Sequence, residues 1–240
     1  MSFSSDELVD LWPTLLACRQ IDAVDEQLAA ALGLDSTRHV SLGLLTCDQD
    51  DSLSIALDHA TKFASVDVVF ARSFYAGSKH ASGPFSGEML GVVAGSDPDD
   101  IAEALWALRE HLRAPHGVRF QTFASSSPAS TSELPSFLAH VIPESGSYLS
   151  QQAGRERGEP VAYLIAPPLE SVVGIDAALK AADVSLAKWI PPPSETNFGG
   201  ALLFGSLPSL QSARDAFVDA IGEVVRAPLG SARRPDRLRR

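Results

Sequence analysis

The stretch Leu57–Val66 reads LDHATKFASV, and 118 residues further on the stretch Ile175–Val184 reads IDAALKAADV. Aspartate, alanine, lysine, alanine and valine recur in register between the two. Later in each copy, Gly95–Pro98 (GSDP) matches Gly205–Pro208 (GSLP), and each of these stretches precedes an apolar periodicity typical of a helix. The chain therefore contains an internal repeat, which decides how the rest of the sequence is interpreted.

Each repeat alternates β-rich runs with helical patterns. The predicted strands are Val40–Leu45, Val66–Ala71 and Glu88–Val93 in the first repeat and Val161–Ile165, Ser185–Ile190 and Ala201–Phe204 in the second. A further strand is predicted to open each repeat, at Arg19–Val24 and Val118–Phe123, followed by the apolar segments Leu28–Leu34 and Phe137–Ile142. The pattern predicts two α+β units: a first domain over 1–115, a second over 116–229 and a basic tail over 230–240.

The two late helices carry clear start signals. Ser96 or Asp97 and, in the second repeat, Ser206 or its neighbour suit the N-cap position, where a side-chain oxygen satisfies a free backbone amide. Pro98 and Pro208 suit the first helical turn.

Composition excludes several classes of function. The net charge is −11, and since the last ten residues carry +4, the other 230 carry −15, which argues against a nucleic-acid partner. No apolar run approaches the roughly 20 residues of a membrane span, and the N-terminus lacks the features of a secretory signal. Cys18 and Cys47 lack metal-ligand spacing. We therefore expect a cytoplasmic protein with no membrane or nucleic-acid partner.

Several stretches resemble the shell proteins of bacterial microcompartments. Ala177–Leu186 matches their "A-x-x-K-A-A-x-V" core. Stretches similar to the shell protein L family of ethanolamine utilisation follow in that family's order, namely Ser41–Leu45, Arg72–Gly77, Gly87–Glu88, Gly146–Ser150, Ala166–Glu170 and Pro191–Asn197. The resemblance implies two tandem, circularly permuted shell domains, each an antiparallel-containing sheet flanked by helices. It also implies a homotrimer that imitates a hexamer and assembles with other shell proteins in the compartment shell.

The resemblance assigns Asp50, Glu88 and Phe120 to small openings within each subunit, at which ethanolamine binds in the family. The chemistry agrees, because carboxylates attract an ammonium group and an aromatic face adds a cation–π contact. Asp50 and Asp51 have an alternative role, since they follow a strand and precede a helix, where they would cap the helix and interact with its dipole. Cobalamin is a further ligand that the resemblance alone implies.

Two long loops stand at equivalent places in the repeats, Phe74–Phe85 and Pro191–Gly200. They are either ordinary strand connections or functional segments, because connections of this length exceed those of a hairpin. In the family, these segments surround a gated central pore of the trimer. The residues then expected to line it are Tyr75, Ser78, His80, Ser194, Thr196 and Asn197.

No set of residues predicts catalysis. The six histidines show no His-x-x-x-His spacing, and no phosphate-loop or Gly-x-Ser-x-Gly pattern is present. We therefore expect a structural, pore-forming shell protein that is not an enzyme and needs no metal or cofactor. The alternative from another class is a soluble small-molecule sensor built of paired α+β domains.

Overall fold

In the described residues, two antiparallel sheets of four strands dominate the fold, and a third sheet has two strands. The computed structural model describes residues 8–24, 29–30, 32–73, 88–124, 134–191 and 198–226. The strands are β1 (Leu8–Leu11), β2 (Leu15–Ile21), β3 (Ser41–Cys47), β4 (Asp67–Ser73), β5 (Met89–Gly95), β6 (Phe120–Phe123), β7 (Leu138–Ile142), β8 (Val161–Ala166), β9 (Val184–Ile190) and β10 (Gly199–Gly205). The helices are α1 (Asp50–Phe63), α2 (Pro98–His111), α3 (Ser147–Ala153), α4 (Pro168–Ala181) and α5 (Leu207–Arg226).

The two large sheets have the same topology. The strand order is β2-β3-β5-β4 in the first and β7-β8-β10-β9 in the second. In both sheets, a helix follows the second strand, α1 after β3 and α4 after β8. Another helix follows the strand that comes last in the chain, α2 after β5 and α5 after β10. The α+β fold class with antiparallel sheets is therefore confirmed. The domain boundaries near residues 115 and 229 stay predictions, and the tail over 230–240 lies outside the described residues.

The strands that open the repeats differ from the prediction. The first, β2, begins four residues before Arg19. The predicted strand Val118–Phe123 contains β6, which pairs with β1 rather than joining the second sheet. That sheet opens instead with β7, inside the segment interpreted only as apolar. The error has a physical reason, because periodicity cannot separate a short apolar strand from a buried helical segment.

The predicted helix starts are confirmed. Asp97 is the N-cap of α2, and its carboxylate accepts a hydrogen bond from the amide of Asp99 at 2.9 Å. Ser206 Oγ accepts one from the amide of Ser209 at 3.3 Å at the start of α5. Each helix buries the predicted stripe against its sheet, with Ile101, Ala104 and Leu108 buried on α2 and Leu210, Ala213, Phe217 and Ile221 buried on α5.

The two halves are joined through α1 and α3. Asp58 of α1 is fully buried, and its carboxylate accepts hydrogen bonds from the amides of Gly146 (2.7 Å) and Leu149 (2.9 Å). Lys62 Nζ lies 3.5 Å from the same carboxylate. Because α3 has no side-chain cap of its own, Asp58 satisfies its first amides from the other half of the chain. We call this contact the internal joint.

None of the helices in the described ranges is both long enough and apolar enough to cross a bilayer.

Candidate functional site

Two adjacent carboxylates open α1 where β3 ends. Asp50 and Asp51 are both buried and form the first turn of the helix, where the helix dipole favours negative charge. The N-cap residue is Gln49, so the predicted capping role of the two aspartates is wrong, whereas their position at the positive end of the dipole is as predicted. Gln49 instead donates a hydrogen bond to the Leu11 carbonyl at 2.8 Å.

Asp51 is tied to the second repeat by a buried hydrogen bond. The Tyr163 hydroxyl, from β8, donates to Asp51 Oδ1 at 2.6 Å. Burial and the neighbouring charge of Asp50 raise the pKa of the Asp51 carboxyl well above its usual range, although the Tyr163 hydrogen bond lowers it. Burial and the Asp51 carboxylate likewise raise the pKa of the Tyr163 hydroxyl. The pair therefore links α1 to β8 and is poorly suited to hold a mobile cation by itself.

Asp50 and Glu88 meet at the ends of β4 and β5. Ser73 Oγ, at the end of β4, lies 3.2 Å from Asp50 Oδ2 and 3.2 Å from the Glu88 carbonyl oxygen, so the hydroxyl can donate to either. Burial raises the pKa of the Glu88 carboxyl, and the charges of Asp50 and Asp48 raise it further. The structure thus brings two of the three predicted ligand residues together. A bound cation would offset the repulsion between their carboxylate charges.

A cavity of about 330 Å³ lies beside Asp50 and Asp51, between the two repeats, and Glu88 is not among the described residues that line it. Its polar lining includes residues of both halves: Asp50, Asp51, Ser54, Ser73, Tyr148, Gln152, Tyr163 and Lys188. Burial lowers the pKa of the Lys188 ammonium, whose Nζ donates to Gln152. A space of this size with a few convergent polar groups suits a small polar solute.

Phe120, the third predicted ligand residue, is a buried aromatic side chain. It is 5% exposed, and its ring packs edge-on against Phe198 with centroids 5.7 Å apart. Among the described residues, it does not line the cavity. The structure therefore places Phe120 in the core, and its assignment to the same opening as Asp50 and Glu88 stays a prediction.

The predicted pore residues lie outside the described residues, so their role stays a prediction. These are Tyr75, Ser78, His80, Ser194, Thr196 and Asn197. The described ends of the two loops are equivalent, since one loop connects β4 to β5 and the other connects β9 to β10, the edge strand and its neighbour in each sheet. The matched position of the two loops is therefore a property of the fold.

Sequence reasoning missed Tyr163 and Tyr148, which the cavity shares with the carboxylates. A signal was available for Tyr163, because its hydroxyl is the one polar side-chain group of the fully buried strand VAYLIA. A buried tyrosine hydroxyl almost always finds a partner. Only the fold shows that this partner is Asp51, 112 residues away in the chain.

Three histidines gather near the internal joint without forming a metal site. The rings of His59 and His111 stack with centroids 4.0 Å apart, and His140 meets His111 edge-on at 6.5 Å. In the part of the chain that the structure describes, no group of three or more histidine, cysteine or acidic side chains could hold a metal ion.

Comparison with known proteins gives consistent results. No family model matches the chain. The chain is 45% identical, over 221 residues, to the bacterial microcompartment shell protein EutL of Escherichia coli strain K12, which covers 92% of this chain and 96% of that protein. The fold is similar to the crystal structure of the ethanolamine utilization protein EutL from Leptotrichia buccalis, with a TM-score of 0.84, 42% identity and coverage of 93% of this chain and 99% of the other. It is equally similar to EutL from Clostridium perfringens, with a TM-score of 0.85, 41% identity and coverage of 94% and 98%.

Proposed function

Because the chain belongs to the family of the bacterial microcompartment shell protein EutL, it is a structural shell component of an ethanolamine-utilisation compartment, and we propose that it works there as a trimeric tile. Its role is structural rather than catalytic, and the comparisons lend no support to the sensor alternative. The observation that carries the family is 45% identity over 92% of the chain.

Three copies would supply six near-equivalent units around one axis. The support is the shared topology of the two large sheets, since each chain then contributes two similar units to a closed ring. Such a tile packs edge to edge with other shell proteins and needs no cofactor. Light scattering at several concentrations, with electron microscopy of the same preparation, tests the proposal. A particle that stays a monomer or dimer at every concentration contradicts it.

The loops over 74–85 and 191–200 are proposed to surround a central pore whose width depends on their conformation. The support is their matched connection of edge strand to neighbouring strand in both sheets. Neutral hydrogen-bonding groups such as Ser78 and Thr196 would let polar metabolites pass without trapping them. Cysteines at Ser78 and Thr196 should therefore change in accessibility between conditions, whereas one at Arg214 on α5 should not. Invariant labelling at all three positions would leave a static pore.

A second, smaller opening is proposed beside the carboxylates of Asp50 and Glu88, where the ammonium group of ethanolamine binds. Ser73 Oγ lies 3.2 Å from both the Asp50 carboxylate and the Glu88 backbone carbonyl, and the raised pKa of Glu88 reflects partial burial beside Asp50 and Asp48. A bound cation would stabilise the ionised form of both carboxylates. The hydroxyl end of ethanolamine has hydrogen-bonding partners in the cavity, among them Tyr148.

Calorimetric titration with ethanolamine tests this site on the intact protein. Glu88→Gln and Asp50→Asn should each weaken binding several-fold, and the double change should do little more, because both act on one site. Glu223→Gln on the exposed face of α5 is the matched control. Unchanged affinity in Glu88→Gln would reject the assignment, and titration with cobalamin would test that further ligand on the same sample.

A further inference from the structure

A second cavity, of about 300 Å³, lies at the other end of α1 from the carboxylates of Asp50 and Asp51. It is formed by the last turn of α1, the start of β4, the end of β5, the turn before β3 and the segments at and after α3. We call it the basic cavity. Its polar lining residues are Thr37, Arg38, Thr61, Ser65, Asp67, Ser96, Ser147 and Arg157.

Two guanidinium groups, from different halves of the chain, line the basic cavity. Arg38 Nη2 lies 2.6 Å from Asp67 Oδ2, and His39 Nε2 lies 3.0 Å from the same oxygen. Asp67, the acidic residue of the described lining, is therefore already paired. Arg157 has no carboxylate partner among the described residues. Its positive charge is left uncompensated in a chain with 30 acidic and 19 basic residues, where acidic partners are plentiful.

Arg157 also covers the carbonyl end of α1. Its Nη2 donates to the Thr61 carbonyl oxygen at 2.8 Å, which is one of the carbonyls that the end of the helix leaves without an internal partner. The carbonyl end of a helix disfavours anions, and the guanidinium offsets that effect. Because a guanidinium has several N–H donors and this bond uses one of them, Arg157 retains donors for a ligand.

Three serine hydroxyls in the lining add further donors. Ser65, Ser96 and Ser147 all line the basic cavity, and none of their hydroxyls bonds to another described residue. Each hydroxyl can donate one hydrogen bond. Guanidinium groups and hydroxyls from separate segments of the chain therefore converge on one cavity.

The second repeat forms the same depression without this chemistry. The depression again measures about 300 Å³, and it is lined by the equivalent segments, with Asp183 at the position of Ser65. No arginine or lysine is among its described lining residues, although Arg155 donates to Ser185 there at 3.0 Å. The shared backbone plan thus produces a depression in both repeats, and the side chains make only the first one basic.

We propose that the basic cavity binds a phosphate group, carried either by inorganic phosphate or by a phosphorylated metabolite. Guanidinium groups bind phosphate through paired, charge-assisted hydrogen bonds. A phosphate group offers more oxygens than a carboxylate, so it can accept from both arginines and from the serines at once. Near neutral pH it also carries more negative charge. The site goes beyond the proposed tile and does not depend on the trimer.

Calorimetric titration of the full chain with inorganic phosphate tests the site. Arg157→Gln should weaken phosphate binding by about tenfold or more, because it removes a charged donor that has no acidic partner. The matched control is Arg155→Gln, which removes the same charge two residues away and outside the described lining. It should change the affinity by less than about twofold, since a charge in solvent is screened. An equal loss in both variants would show that net charge attracts phosphate, and would overturn the inference.

A second variant keeps both arginines in place. Ser65→Asp introduces the residue of the second repeat at an exposed position of the cavity, so the fold should be preserved. Its carboxylate should repel the anion and weaken phosphate binding by about tenfold. Ser212→Asp adds the same charge on the exposed face of α5 and should leave the affinity within about twofold. Urea midpoints check that each variant is folded, and wild-type affinity in a folded Ser65→Asp would contradict the placement of the site.

The choice of ligand tests the chemical class. Glycerol 3-phosphate that binds at least as tightly as inorganic phosphate would support a phosphorylated metabolite, whereas tighter binding of inorganic phosphate would support free phosphate; either result supports the site. Acetate at the same ionic strength should bind about tenfold more weakly, because it offers fewer oxygens and less charge. Equal binding of acetate would overturn the phosphate assignment. A wild-type protein that binds neither phosphate compound overturns the inference and leaves the proposed tile standing.

Discussion

Helices α1 and α4 occupy the same place in the two repeats, yet α1 is buried along most of its length and α4 exposes an apolar face. The backbone plan is shared, including the sheet order and the ion pair one turn apart. The side chains differ wherever the neighbours differ: Asp58 is buried under α3, whereas its counterpart Asp176 is 60% exposed. The shared fold therefore determines where the helix lies, and the element that covers the helix determines which side chains its surface carries.

Replacing the two equivalent aspartates, Asp58 and Asp176, is the strongest test of this difference between α1 and α4. Asp58→Ala leaves the buried amides of Gly146 and Leu149 without acceptors, so we expect a loss of about 2–4 kcal/mol of unfolding free energy. Asp176→Ala removes only an exposed pair on one helix and should cost less than about 0.5 kcal/mol. Urea denaturation of both variants is the measurement. Equal losses would show that the internal joint does not depend on Asp58.

A second difference concerns how each repeat packs its two helices. Gly174 of α4 lies against Phe217 of α5, and a Cβ at Gly174 would come within 2.6 Å of that ring. Aligning the buried residues Ile101, Ala104 and Leu108 of α2 with Leu210, Ala213 and Phe217 of α5 makes Leu108 the counterpart of Phe217, and the counterpart of Gly174 is Ala56. The first repeat thus packs alanine against leucine, whereas the second packs glycine against the larger phenylalanine.

Exchanging these residues tests the compensation. Gly174→Ala should overpack the second repeat and cost about 1–3 kcal/mol, although alanine favours the helix. Gly174→Ala with Phe217→Leu reproduces the pair of the first repeat and should cost less than the two single changes added together. Thermal unfolding of the four proteins completes the cycle. Strict additivity would mean that the two positions do not interact.

Much of this fold could be predicted from the sequence, because the repeat constrains it twice. The central strands and the helix starts at Asp97 and Ser206 were predicted closely, since alternation and capping are local signals. The opening strand β7 was not, because five residues of mixed exposure carry little periodicity. The pairing of β1 with β6 could not be predicted from local patterns either, because it joins segments more than 100 residues apart.

The candidate site was predictable only in part. Asp50, Glu88 and Phe120 were all assigned to one opening by resemblance, and Ser73 Oγ lies within hydrogen-bond distance of the Asp50 carboxylate and of the Glu88 backbone carbonyl. Phe120 packs into the core against Phe198, and its place in the opening stays a prediction. Tyr163 was missed, because its bond to Asp51 depends on how the two repeats dock, which no local pattern encodes.

The smallest expected effect concerns pH and a third difference between the repeats. His59 and His111 stack in the first repeat, where the second has Ala177 and, with the buried residues of α2 and α5 aligned, Ala220. Burial, together with the neighbouring His59, His140 and Lys62, lowers the pKa of His111 from 6.5 to about 3. Burial and nearby cationic groups lower that of His140 to about 4. The folded protein therefore holds both imidazoles neutral at a pH at which the unfolded chain binds protons.

The sign of the effect follows from this difference. Stability is full above the unfolded pKa of 6.5 and falls as the pH drops toward the folded values, by up to about 1.4 kcal/mol per pH unit for each histidine. His111→Ala, which places the residue of the second repeat there, should make the loss between pH 6.5 and 5.5 smaller by about 1 kcal/mol. The exposed His116→Ala is the matched control and should keep the wild-type slope. Urea midpoints measured at half-unit steps of pH decide the matter, since a slope that His111→Ala leaves unchanged would mean that the stacked pair does not couple folding to proton binding.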